Sequence, residues 1–482
     1  MMQQQHPAQV VQRVRTAFQL GRTRKLQFRE GQLRAFLRLL DENETSLLDA
    51  VYADLRKPPQ ETSLCELDLV RNEVLHALHN AWDWSKPEVI GKSFVNMLDT
   101  VQIRKDPYGV VLIMSSWSCP LLLLLRPFVG ALAAGNCVIL HPNNKAYTTA
   151  MLIAELIGKY LDNECYQVFT GNASETEELL LQHFDYVFYT GGMDKAKQIR
   201  DLTNRHLTPT RLELAGKCPV FIDDNVNLNM AAKRIMLGKL INAGQTSSAA
   251  DFLLCSKSIE EPLVAALHNA VMELLGSNPQ TSSYYARIIN DVQYERLVHL
   301  MAGTTVALGG KCDPYERYIE PTVLTNVTAE DPIMCEEIFG PLLPIVNING
   351  PDEAVEFITR RAKPLAVYVF SNTKSTIDKF LHGTSSDFVV INDAGIQVGL
   401  GSSGGKSTFD NFTHHKTCII KDLSAINERL NSLRYPPYSS RNVSFLRMIN
   451  KPRNYPSMAW MKNYLIFCLG VAVAAAYYYY SK

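Results

Sequence analysis

An excess of either charge is missing from this chain. Its 48 Lys and Arg balance 48 Asp and Glu over 482 residues, so the formal net charge is zero. Neutralising a phosphate backbone needs a basic excess, and we therefore expect no nucleic-acid partner. Paired cysteine motifs are missing as well. The ten cysteines (65, 119, 137, 165, 218, 255, 312, 335, 418 and 468) include no CxxC and no Cys/His cluster. That suggests neither a disulfide framework nor a zinc site, and suits a reducing, cytosol-facing environment. No internal repeat or low-complexity tract is present. The first forty residues lack the unbroken apolar core of a signal peptide. There Arg13, Arg15, Arg22, Arg24, Lys25 and Arg29 punctuate an apolar periodicity that reads as amphipathic surface helices. What the chain does have is apolar mass: 46% hydrophobic residues, ample for two or three domains with large cores.

Long apolar runs are confined to the C-terminal end. Residues 464–480 read YLIFCLGVAVAAAYYYY, 17 residues without a charge, preceded by Trp460. As a helix this run spans roughly 25 Å, close to the thinner endoplasmic reticulum bilayer. Lys451, Arg453 and Lys462 lie before it and only Ser481 and Lys482 after it, which places the body of the chain on the cytosolic side. The run reads as a tail anchor; the alternative is a buried C-terminal helix or strand. Residues 431–463, rich in Pro, Ser and Arg, read as a linker to the membrane.

Between these ends, short apolar runs alternate with helical patterns, as in a parallel α/β protein. Val110–Met114, Asn136–Leu140 and Tyr186–Tyr189 are expected strands, with a helix over Thr148–Leu161. A second set starts near Val220 and includes Phe252–Cys255, Leu343–Val346, Ala366–Phe370 and Phe388–Ile391. Two α/β units are expected.

Three segments carry possible chemistry. Tyr189-Thr190-Gly191-Gly192 follows a strand and precedes a helix starting near Asp194. Such a turn lets backbone amides approach a pyrophosphate, although two glycines there also serve plain turn chemistry. In Leu212-Glu213-Leu214-Ala215-Gly216-Lys217 a carboxylate sits inside an apolar run. It is either a general base with a raised pKa or a glutamate satisfied by backbone amides or by Lys217. Asn242-Ala243-Gly244-Gln245-Thr246-Ser247-Ser248 is a small polar loop in which a hydroxyl nucleophile is one reading and an ordinary loop the other.

Taken in order, GRTRKLQFR (21–29), DPYGVVLIMSSWSCP (106–120), VGALAAGNCVIL (129–140), FDYVFYTGG (184–192), HLTPTRLELAGKCP (206–219), GKLINAGQTS (238–247), EEIFGPLLPI (336–345), KPLAVYVFS (363–371) and RYPP (434–437) resemble the aldehyde dehydrogenase superfamily. The match is to the class 3 branch, which includes membrane-anchored fatty aldehyde dehydrogenases. The resemblance implies an α/β subunit with a dinucleotide-binding domain (1–85 and 106–211), a catalytic domain (212–393) and a bridging β element (86–105 and 394–430). That bridge would pair two subunits into a homo- or heterodimer. The implied reaction oxidises a lipophilic aldehyde to the acid with NAD or NADP. A cysteine attacks, amides hold the oxyanion, and a glutamate activates water.

Carried over residue by residue, Glu213 falls on the family's general base, and Glu337 and Phe339 on the residues that hold the nicotinamide ribose and ring. Gly191 and Gly192 fall on the pyrophosphate turn. The catalytic cysteine falls on Ser247 and the oxyanion asparagine on Ser118. The adenosine-ribose Lys and Glu fall on His141 and Asn144, and Asp194 brings negative charge to the pyrophosphate turn. The PFGGVGNSG segment survives only as residues 399–404, with a shortened stretch before it. A thiol near pKa 8.5 supplies some thiolate at pH 7 and a serine hydroxyl almost none, a loss of roughly three or more orders of magnitude without a dedicated base. Cys119, next to Ser118, and Cys218 are the thiols that could stand in. The expectation is a tail-anchored member of the superfamily whose own catalysis is lost or strongly impaired, and which pairs with an active relative. The alternative is an enzyme working through Ser247 or another group with Glu213 as base.

Overall fold

The structure is a computed structural model that describes residues 6–90, 99–214, 216–395 and 404–450. The proposed anchor at 464–480, the linker beyond Asn450, and residues 399–403 lie outside the described residues. Seventeen strands run through the described chain: β1 (Glu88–Val89), β2 (Thr100–Pro107), β3 (Val110–Met114), β4 (Cys137–His141), β5 (Tyr166–Val168), β6 (Tyr186–Gly191), β7 (Thr210–Leu214), β8 (Pro219–Ile222), β9 (Phe252–Cys255), β10 (Thr305–Leu308), β11 (Cys312–Asp313), β12 (Tyr318–Ile319), β13 (Thr322–Thr325), β14 (Leu342–Asn347), β15 (Ala366–Phe370), β16 (Phe388–Ile391) and β17 (Thr413–Ile420).

The chain divides into two compact units, the first formed by residues up to Lys86 together with Lys105–His414. It holds two sheets. One has the order β5-β4-β3-β6-β7 and is parallel throughout. The other has the order β10-β13-β14-β9-β8-β15-β16, parallel except for the β10–β13 pair. β3 (VVLIM) and β4 (CVILH) are buried at every position, as expected of strands covered by helices on both faces. Helix Leu122–Ala134 is apolar nearly all round because it too is buried, and it ends on Gly135 at φ +95°. A side chain there would meet the Arg29 guanidinium at 2.4 Å, so only glycine fits both the left-handed turn and the contact.

Arg29 departs from the expected amphipathic surface. Its side chain is buried, with Nε donating to Thr23 O (2.7 Å) and Nη1 to Ala133 O (3.3 Å). The cation thus caps the carboxyl end of helix Leu122–Ala134, where it is favoured. Burial lowers its pKa, only partly countered by Tyr166.

The second unit comprises residues 87–104 and 415 onward. Asp99, 1% exposed, pairs there with Lys421 at 2.6 Å and accepts from Asn427 at 3.3 Å. Residues 404–414, expected in the bridging element, instead belong to the first unit. Thr408 packs on Gly130, and Phe409 lies against Trp84 at 5.6 Å between rings. Helix Ala425–Asn431 closes the expected bridging element, and helix Ser440–Asn450 forms within the expected linker.

Candidate active site

The five-stranded sheet reverses its winding between β3 and β6: β4 and β5 extend it one way, β6 and β7 the other. The carboxyl ends of strands at such a switch point open a crevice that suits a dinucleotide. A cleft of about 1070 Å³ lies there, lined by Ser115 and Ser116 after β3, His141 at the end of β4, Gly191 and Gly192 at the end of β6, and Glu213 in β7. The opposite wall comes from segments just ahead of strands in the seven-stranded sheet: Ser247 before β9, Glu337 and Phe339 before β14, and Leu365 before β15. All eight positions singled out by sequence, Ser118, His141, Gly191, Gly192, Glu213, Ser247, Glu337 and Phe339, line this one cleft.

Two loops carry its centre. Gly244 (φ +75°) touches the Glu337–Gly340 segment so closely that a Cβ would stand 2.2 Å from Gly340 O. Asn242, fully buried at φ +50°, donates from Nδ2 to Ser118 O (2.7 Å) and Gln245 O (2.9 Å), tying the Ser118 loop to the Ser247 loop. Trp117 and Phe339 meet edge to face at 5.2 Å, a pair worth about 0.5–1.5 kcal/mol beyond its buried area. Under the Ser118 loop lies an ion pair with both side chains at 0% exposure. Lys57 Nζ meets Glu66 Oε1 at 2.7 Å, while Glu66 Oε2 accepts from Leu121 N (3.0 Å) and Leu122 N (3.2 Å). Asn242 and the Lys57–Glu66 pair escaped the sequence reading. The former sits among small polar residues like those of any loop, and the latter is more than fifty residues away in sequence from the loop it supports.

Burial drives the electrostatics. It raises the Glu213 carboxyl, against the opposing pull of Arg211 and Arg126. Arg211 Nη2 stands 3.7 Å from Glu213 Oε1, an ion pair too long for a hydrogen bond. Lys217 is not the partner: its Nζ lies 2.6 Å from Asp251 and donates to the carbonyls of Ile333 and Glu336. Burial also pushes Glu337 up to about 8, with Asp251 adding to the shift.

Neither candidate thiol is a thiolate. Burial raises Cys119 to about 12 although Lys57 Nζ lies 4.0 Å away. Cys218, fully buried and donating to Ser247 O at 3.2 Å, is pushed up further by burial. Among the described residues lining the cleft, His141 is the one imidazole. Its Nδ1 lies 2.8 Å from Phe169 O and its Nε2 3.2 Å from Thr176 Oγ1. Burial keeps it neutral, so it has no nitrogen left for a ribose or a serine. Asp194, expected close to a pyrophosphate, turns its side chain fully to solvent and lies 3.8 Å from Lys197.

The profile of the aldehyde dehydrogenase family matches residues 2–417. The chain belongs to the aldehyde dehydrogenase family. It is 43% identical over 446 residues to aldehyde dehydrogenase family 3 member B2 of Mus musculus, covering 90% of this chain and 93% of that one. It is 41% identical over 461 residues to family 3 member A2 of Macaca fascicularis, covering 92% and 95%. A solved structure, the substrate-bound state of Staphylococcus aureus AldH, superposes with a TM-score of 0.87 at 34% identity, covering 92% of this chain and 99% of that one. The α/β fold expected from the sequence is therefore that of the aldehyde dehydrogenases, and the family chemistry is NAD(P)-dependent oxidation of an aldehyde.

The cleft fits such a cofactor on its own evidence. It opens at the sheet's switch point, and beyond Gly192, which caps helix Met193–Thr203, an added Cβ would meet nothing within 4 Å. Glu337 and Phe339 line the wall opposite this turn.

No described helix is long and apolar enough to cross a membrane.

Proposed function

We propose that this aldehyde dehydrogenase family member has lost, or retains only in strongly impaired form, the oxidation of a lipophilic aldehyde. It rides on an intracellular membrane, the endoplasmic reticulum being the expected one, through residues 464–480, with its body in the cytosol. It pairs with a second copy or an active relative through the bridging element.

The observation that carries this reading is the chemistry around Ser247. A hydroxyl occupies the position where the family attacks the aldehyde. No free imidazole lines the cleft among the described residues, burial raises both thiols that line it, Cys65 and Cys119, and it raises Cys218, which donates to Ser247 O, as well. Attack by a neutral hydroxyl without a base forfeits the advantage of a thiolate, roughly three or more orders of magnitude. Ser118 at the oxyanion position replaces an amide donor and costs about another hundredfold wherever its hydroxyl does not reach the oxyanion.

The competing reading is a residual enzyme. Glu213 favours it, since a carboxyl raised by burial beside an open cleft is suited to deprotonate water. Aldehyde-dependent NADH formation by the full chain in detergent separates the two. Turnover with a panel of medium- and long-chain aldehydes at a rate comparable to that of an active relative, abolished by Glu213→Gln, would defeat the impaired reading; turnover about three orders of magnitude lower, or indistinguishable from heat-treated protein, supports it. Co-expression with an active relative should give mixed dimers, and strict monomers would refute the pairing.

A further inference from the structure

Arg126 interrupts the apolar helix Leu122–Ala134 on the side that lines the cleft. Its side chain is only 11% exposed, and the nearest carboxylate oxygen, Glu73 Oε2, stands 3.6 Å from its Nε, too far for a hydrogen bond. Glu73 is engaged elsewhere, its Oε1 accepting from Gly405 N at 2.7 Å. The guanidinium forms no hydrogen bond with a described residue, so a fork of five N–H donors sits in a largely buried place without acceptors. Burying such a group unsatisfied is costly. Its surroundings in the cleft are apolar. Leu122 and Leu123 lie one turn before it on the same helix, and Cys65 and Leu69, also one turn apart, line the cleft from the segment that enters helix Asp68–Trp84. Of the acids lining the cleft nearby, Asp387 pairs with Lys363 at 3.0 Å, and Glu213 keeps a buried Oε1 without a hydrogen bond.

We propose that this part of the cleft binds an alkyl carboxylate, whose two oxygens take the N–H fork of Arg126 while its chain lies along Leu69, Leu122 and Leu123. A carboxylate suits the guanidinium better than a neutral carbonyl or hydroxyl does, because it accepts two parallel, charge-assisted bonds from one planar donor group. The negative charge it adds beside Glu73 is offset at Glu213. Burial already raises that carboxyl, and in its protonated form it donates to the ligand instead of repelling it. A phosphate monoester is the poorer occupant, since it brings up to two charges to the neighbourhood of Glu73 and Glu213. The site needs no turnover, so it stands whether or not Ser247 reacts.

The test is calorimetric titration of the full chain, at one detergent concentration and without cofactor, with octanoate and with octan-1-ol. Octanoate should bind wild type about tenfold tighter than the alcohol or more. Arg126→Gln should weaken octanoate about tenfold to a hundredfold, the worth of a charge-assisted pair, and leave octan-1-ol unchanged. The unchanged alcohol shows that the fold and the leucine wall survive. Arg126→Lys should fall between the two, because an ammonium keeps the charge and loses the fork. Phenylglyoxal labelling of wild-type Arg126, read by peptide mass spectrometry, needs no variant: saturating octanoate should slow it about tenfold and octan-1-ol should not. Equal affinity for acid and alcohol, octanoate affinity unchanged in Arg126→Gln, or labelling that octanoate does not slow overturns the inference. None of these readouts depends on aldehyde oxidation, so the binding site and the impaired reading fail separately.

Discussion

Replacing Lys57 by Met tests how the centre of the cleft is held up. Lys57 and Glu66 are both fully buried and 2.7 Å apart, and Glu66 also holds the amides of Leu121 and Leu122 that open the helix behind Ser118. Removing the ammonium leaves Glu66 with two amide donors but no counter-charge, and takes the cation from Glu61, whose Oε1 lies 3.9 Å from it. Breaking one side of a buried pair costs about 3–5 kcal/mol, and the two surviving amide bonds place this site near the lower figure. Adding Glu66→Gln removes the stranded charge while keeping an acceptor for the amides, and should restore about half of the loss or more. Urea denaturation of both variants, with hydrogen exchange at Leu121 and Leu122, reads these differences. A single-variant loss below about 1 kcal/mol, or a double variant no better than the single, would refute the reasoning.

Three further outcomes follow from the same geometry. Gly244→Ala, whose Cβ would stand 2.2 Å from Gly340 O at φ +75°, should cost about 2–4 kcal/mol and speed proteolysis of the 241–251 loop; wild-type resistance would contradict the contact. Glu337, raised to about 8 from an ordinary 4.5, binds a proton in the folded state that the unfolded chain releases. Its contribution to stability is therefore complete below about pH 4.5 and lost as pH climbs toward 8, and Glu337→Gln should flatten that part of the stability profile in thermal melts. Iodoacetamide at pH 7.5 should modify exposed Cys335 well before Cys119 or Cys218, which burial keeps as thiols; peptide mass spectrometry showing Cys119 labelled first would reopen it as a nucleophile.

The fold was legible wherever burial is two-sided. VVLIM, CVIL and AVYVF are unbroken apolar runs because helices cover both faces of a parallel sheet, and each forms a strand within a residue of the expected limits. Arg29 was misread because periodicity reports which positions are apolar, and says nothing of a guanidinium that finds buried carbonyls more than a hundred residues away at Ala133. The site positions were legible through the resemblance, and they converge on one cleft. Their partners were not. That Arg211 rather than Lys217 faces Glu213, and that His141 is consumed by Phe169 and Thr176, depends on strand register and loop packing that no local pattern encodes.

The most direct test of the central claim combines calorimetric titration of the full chain with NAD and NADP and aldehyde turnover by wild type and Ser247→Cys. The account predicts that at least one dinucleotide binds wild type, that wild type yields little or no aldehyde-dependent reduction, and that the Ser247→Cys variant gains turnover by about three orders of magnitude or more over wild type. Wild-type turnover equal to that of the cysteine variant would contradict it.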